Sequence, residues 1–142
     1  MWKRTYSKKI NGISPEQVWS EWVDIENWPK WHADLEYCKL HGEFAEGVRF
    51  TLKPTNMKAV EIEISEVEQG RSFTDCTKFP GAKMIDKHLV VPIVGGVKIS
   101  NVLQVSGVFS FLWFLLVGRN VASSVPDEIE SLIDRIKEKQ ND

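Results

Sequence analysis

From Leu35 to Gly107 the chain alternates apolar and polar residues with a period of two, and turn-forming residues interrupt that alternation at nearly even intervals. No other feature narrows the fold as much, because period two suits a pleated strand with one buried face and does not suit a helix. The breakers are Gly42, Gly47, Pro54-Thr55-Asn56, Gln69-Gly70, Pro80-Gly81 and Gly95-Gly96. They delimit six strand-like runs near 34–42, 47–53, 59–67, 72–79, 82–92 and 97–107. Regular turn signals at this spacing indicate an antiparallel meander.

Helical signals flank the meander. Trp2 to Ile10 alternates loosely and ends at the turn pair Asn11-Gly12. Ser14-Pro15-Glu16-Gln17 then opens a helix, with Ser14 as N-cap, Pro15 at the first helical position and Gln17 closing a capping box. Val18, Trp19 and Trp22 supply its apolar face. A second short helical piece, Ile25 to His32, carries Trp28 and Trp31, with Pro29 in its first turn. At the other end Ile129, Leu132, Ile133 and Ile136 recur at helical spacing, with charges opposite. The predicted class is α+β: one strand, two short helices, six strands and a long C-terminal helix. An antiparallel sheet with an apolar face needs a cover, and that helix is the one long element available. A curved sheet wrapped around it leaves space where a small-molecule site is expected.

The 142 residues suggest one domain, 1–142, large enough to need no disulfide or metal staple. Eighteen basic against 20 acidic residues, with no dense basic stripe, argue against nucleic acid as a partner. Cys38 and Cys76 form no CxxC pattern, so no zinc motif is present. They read as buried or half-buried thiols in a reducing compartment, with a disulfide between them left open. Met1 to Lys9 is polar and basic without a following apolar run, so no signal peptide is expected. Val108 to Val117 is apolar apart from Ser110, but a membrane span needs about 20 residues. The expected compartment is the cytoplasm. No nucleophile triad, phosphate-binding loop or nucleotide fingerprint occurs, so neither cofactor nor metal is expected.

Side-chain parity carries across hairpins because period two is strict. In 72–79, Phe73, Asp75, Thr77 and Phe79 share the aromatic, hence inner, face. A two-residue Pro80-Gly81 turn pairs Asp75 with Asp86 and Phe73 with His88. Gly95-Gly96 as the next turn pairs Val90 with Asn101 and His88 with Leu103. Asp75, Asp86, His88 and Asn101 then meet on an otherwise apolar concave surface. Two opposed carboxylates there do not both ionise easily, and His88 can take up the difference. This reads either as a polar anchor or acid/base set for a ligand bearing a hydroxyl, keto or amine group, or as a satisfied internal network. His88, Asp75 and Asp86 are the candidate catalytic groups. With Asn101 they are also candidate ligand contacts, joined by Trp31, Phe50, Phe73, Leu103 and Trp113.

Other features keep two readings. Trp19, Trp22, Trp28 and Trp31 fit core packing or an aromatic cage. His32 and His41 read as surface residues. Glu61 and Glu63 pair with Arg49, Thr51 and Lys53 on the outer face. The run Val108 to Val117 is apolar all round, which means a helix sealing the core or a gate that touches a membrane or a second subunit. Gly118 permits a kink there, and Pro126 is expected to begin a new turn after Ser124.

The segment Ser14-Pro15-Glu16-Gln17-Val18-Trp19, followed by Asp24-Ile25-Glu26-Asn27-Trp28-Pro29-Lys30-Trp31, resembles the opening of the START-like, or SRPBCC, superfamily. The chain looks most like the group labelled polyketide cyclase/dehydrase and lipid transport. His88, Gly95-Gly96, Val105-Ser106-Gly107, Gly118-Arg119 and Pro126 fit the same pattern. The resemblance implies a helix-grip fold with an internal cavity for hydrophobic ligands, in a superfamily of cyclases, lipid carriers, plant hormone receptors, pollen allergens and chaperone activators. The expected function is binding or transport of a hydrophobic small molecule, a lipid or polycyclic aromatic metabolite. The alternatives are a cyclase or dehydratase in which His88 and an adjacent carboxylate move protons, and an interaction module using 108–117, for transient membrane contact or as a homodimer.

Overall fold

Seven antiparallel strands form one sheet in the computed structural model, which describes residues 1–141. β1 (Trp2–Asn11) pairs with β7 (Gly96–Ser106), and the sheet continues through β6 (Ala82–Ile93), β5 (Ser72–Phe79), β4 (Val60–Glu68) and β3 (Arg49–Pro54) to β2 (Leu35–Leu40). The meander is therefore continuous from β2 to β7, and β1 closes onto its last strand. The chain crosses from one sheet edge to the other through α1 (Pro15–Val23) and a 3-10 helix (Ile25–Lys30).

The capping box forms as read, with Gln17 N–H donating to Ser14 Oγ at 3.2 Å and Ser14 N–H donating to Gln17 Oε1 at 2.8 Å. The second helical piece is a 3-10 helix with Pro29 inside it, not in its first turn. Proline has no N–H for an α-helical bond, and the chain instead closes tight turns such as Trp31 N–H to Trp28 O.

The C-terminal segment runs through α2 (Ser110–Trp113), a π-helical turn (Phe114–Gly118) and α3 (Arg119–Gln140). Pro126 lies inside α3 and starts no new turn. The one bond it removes is outweighed by the stripe Ala122, Val125, Ile129, Leu132, Ile133 and Ile136, all buried. A curved seven-stranded sheet holding this helix is the helix-grip arrangement.

One hairpin differs from the expected register. Asp75 does face Asp86 and Phe73 does face His88. The β6–β7 turn, however, is Val94-Gly95, with Ile93 opposite Gly96. Gly95 supplies the left-handed backbone at φ 81°, while Gly96 is a strand residue. A Cβ at Gly96 would lie 1.9 Å from the Ile10 carbonyl oxygen, so glycine is there to let β1 approach. His88 consequently faces Asn101, where Leu103 was expected, and Val90 faces Ile99. The slip is two residues in partner number, so the inner and outer faces are unchanged.

The larger apolar core joins α1, the 3-10 helix, the sheet and α3 around Trp19, Trp22, Trp28, Phe50 and Phe73. A smaller cluster joins Met84, Leu103, Val105 and Ala122, with Trp2, Phe79 and Trp113 packed against it. Outside, Arg49 faces Glu63 and Thr51 faces Glu61 across β3 and β4, as read, whereas Lys53 pairs with Glu36 of β2 and not with either of these acids. Cys38 and Cys76 are both free thiols. Burial pushes Cys38 up to about 12.

Candidate functional site

The polar cluster sits where β5, β6 and β7 pass beneath α3. Asp75, Asp86 and His88 bring one ligating atom each to within 4.8 Å of one another. Asn101 donates from Nδ2 to Asp86 Oδ1 at 2.6 Å. His88 Nε2 lies 3.8 Å from the same carboxylate oxygen. The imidazole is held flat against Phe73, with centroids 4.2 Å apart, and is edge-on to Trp22 at 5.7 Å. Its Nδ1 is buried, with no hydrogen-bond partner among the described residues.

The electrostatics follow from burial. Asp75 is 7% exposed. Desolvation holds its carboxyl well above the ordinary range, and the charges of Asp86 and Glu128 push it further. Asp86 is also raised, first by desolvation, with His88 and Asn101 opposing and Glu128 adding. The cluster therefore favours a shared proton over two full negative charges.

Glu128 is the group that parity arguments on strands did not reach. It comes from α3, and Val125, Glu128, Ile129 and Leu132 line one small cavity with Trp22, Trp31, His88, Ile99, Ser100 and Asn101. The signal was present, because an acid sits on the same helical stripe as Val125, Ile129 and Leu132. Glu128 Oε2 also lies 3.5 Å from His32 Nε2. His32 is thus half-buried beside the site and not a surface residue as expected, whereas His41 is exposed. Burial lowers the His32 pKa, but the hydrogen bond and charge of Glu128, with Asp34, raise it overall.

The other expected contacts divide. Phe73 and Trp31 border the cluster. Leu103 lines a second small cavity with Arg4, Tyr6, Asn101, Ala122 and Val125. Phe50 is fully buried against Trp28, centroids 5.5 Å apart. Trp113 lies elsewhere, stacked on Phe79 and donating to the Pro80 carbonyl at 2.8 Å. The two cavities are about 20 and 10 Å³, the scale of single water molecules. In this conformation α3 rests close on the sheet.

A grip of seven strands around one long helix is the fold of the START-like class of proteins. The family described as Polyketide cyclase / dehydrase and lipid transport matches residues 1–140, and the chain belongs to it. No curated protein matches the sequence. Among solved structures it is similar to a protein of Nitrosomonas europaea at TM-score 0.77 and 12% identity, covering 99% of this chain and 97% of that one. A START superfamily protein from Mycobacterium smegmatis gives TM-score 0.71 at 12% identity, with 96% and 97% covered. The di-domain ARO/CYC BexL, from a biosynthetic pathway, gives 0.71 at 16% identity, with 93% of this chain and 45% of that one covered. At these identities the likeness is one of fold.

Proposed function

We propose that the protein is a single START-like domain that binds or carries a hydrophobic small molecule, a lipid or polycyclic aromatic metabolite, between β5–β7 and α3. The observation that carries this reading is the Asp75–Asp86–His88–Asn101 cluster, set with Glu128 in a largely apolar interior. Such a cluster suits a ligand that is mostly apolar and bears one hydroxyl, keto or amine group. Admitting it requires α3 to lift from the sheet, and the π-helical turn at Phe114–Gly118 supplies a place to bend. Two free thiols fit a reducing cytoplasm.

A second reading is a cyclase or dehydratase. The proximity of His88 to Asp86 favours it, because an imidazole beside a carboxylate of raised pKa can both accept and deliver a proton. The apolar walls would then hold a polyketide-like chain in its reactive shape.

Native mass spectrometry of the purified protein, followed by denaturing extraction, tests the proposal. A co-purifying hydrophobic compound is expected. Titration with fatty acids and polycyclic phenols then shows saturable binding, weakened modestly by His88→Ala and more by Leu103→Ala. An empty protein that binds none of these probes overturns the carrier reading. A bell-shaped pH–rate profile that collapses in His88→Ala replaces it with the enzyme.

A further inference from the structure

The apolar run that opens the C-terminal helical segment is not buried. Val108, Phe109, Phe111, Leu112, Leu115 and Leu116 are all exposed, Val108 by 88% and Phe111 by 74%. The segment is anchored by its other side. Phe109 N–H donates to the Gly81 carbonyl at 3.0 Å, Trp113 is fixed on Phe79 and the Pro80 carbonyl, and Phe114 packs on Trp2 at 4.4 Å. A patch held this firmly and left uncovered needs a partner.

The charges around it identify the partner's chemistry. Lys78 and Lys83 face each other beside the Pro80-Gly81 turn. Lys3 and Arg4 follow Trp2, with the Arg4 guanidinium 5.3 Å from the Trp2 ring centre. Arg119 begins α3. Among the described residues none of these five cations is in an ion pair. Residues 1–15 and 87–126 contain no aspartate or glutamate, although the whole chain carries net charge −2. Positive charge is thus concentrated around the apolar patch.

We infer that this end of the molecule docks on an anionic phospholipid surface. Val108, Phe109, Phe111, Leu112, Leu115 and Leu116 enter the interface, and Lys3, Arg4, Lys78, Lys83 and Arg119 meet the headgroups. Apolar area rimmed by cations is the combination that holds a segment in the plane of an anionic membrane. A two-fold contact with a second copy would set the same cations against one another. Among the described residues no helix is long and apolar enough to cross a membrane, so docking would place the segment on the bilayer and not across it. The surface does not include Asp75, Asp86 or His88, but it adjoins the ligand region: Arg4 also lines the small cavity with Asn101 and Leu103, and Leu115 and Leu116 belong to the π-helical turn.

Flotation with phosphatidylcholine vesicles, with and without phosphatidylserine, tests it on the full chain. Binding is expected only with phosphatidylserine, and salt should weaken it. The double variant Phe111→Ser, Leu116→Ser should lower partitioning by at least about tenfold, and Lys78→Glu, Lys83→Glu by roughly tenfold. Circular dichroism should show both variants folded, because all four side chains are exposed. Failure to float overturns the inference, as does equal binding to neutral vesicles. A wild-type dimer that Phe111→Ser, Leu116→Ser makes monomeric, without vesicle binding, would assign the patch to self-association.

Discussion

The ring of Phe73 lies within 4° of parallel to the imidazole of His88, on paired positions of β5 and β6. This contact fixes the plane of the imidazole and so directs Nε2 toward Asp86. Phe73→Leu keeps most of the apolar volume and removes the stack. It should cost about 1–2 kcal/mol in denaturant unfolding and broaden the His88 ring signals in NMR. Unchanged signals would mean that Trp22 and the backbone hold the ring unaided.

Asp75 contributes to stability with a definite sign. Its folded pKa is raised, so its favourable contribution is complete below the unfolded carboxylate value and is lost as pH rises through the folded one. Asp75→Asn should therefore stabilise the protein at neutral pH, by about 1 kcal/mol or more. It should also flatten the fall in stability above the ordinary carboxylate range. Chemical denaturation across pH checks both, and a destabilised variant at neutral pH would show that the charged form is matched by a partner.

Asn101 is the one amide donor to Asp86 within the cluster. Asn101→Asp replaces that donor with another acid beneath α3. A loss of about 2–3 kcal/mol is expected at neutral pH, recovered largely on acidification. Melting temperatures at neutral and acidic pH would show whether the deficit is electrostatic or steric.

Glu21 is a buried acid outside the cluster, and it ties α1 to α3. Its carboxylate accepts from Lys139 Nζ at 2.8 Å and Arg135 Nε at 3.3 Å. Lys139 is half exposed, so Glu21→Ala should cost only about 1–3 kcal/mol. The loss should shrink when Arg135 is already alanine, which a double-mutant cycle measures.

Gly95 and Gly96 are adjacent but differ in consequence. Gly95→Ala strains a left-handed turn residue and should cost about 1 kcal/mol. Gly96→Ala drives a methyl into the Ile10 carbonyl and should cost at least about 3 kcal/mol by opening the β1–β7 pairing. Equal effects would contradict the register with Val94-Gly95 at the turn.

Most of the architecture was determined by the sequence alone, because its causes are local. The capping box at Ser14 depends on residues three apart, and the strands depend on alternation and the turns between them. The inner faces of β5, β6 and β7 were legible even though the β6–β7 turn lay one residue away from its expected place. A two-residue slip in pairing preserves side-chain parity, so Asp75, Asp86, His88 and Asn101 still converged. Only the tertiary structure decided which of them touch: His88 opposite Asn101, and Glu128 arriving from α3 some forty positions later in the chain. It also decided how closely α3 lies on the sheet, and that within 108–116 Trp113 and Phe114 pack inward while Val108, Phe109, Phe111, Leu112, Leu115 and Leu116 are exposed. Those outcomes depend on packing between elements distant in sequence, which neither spacing nor periodicity encodes.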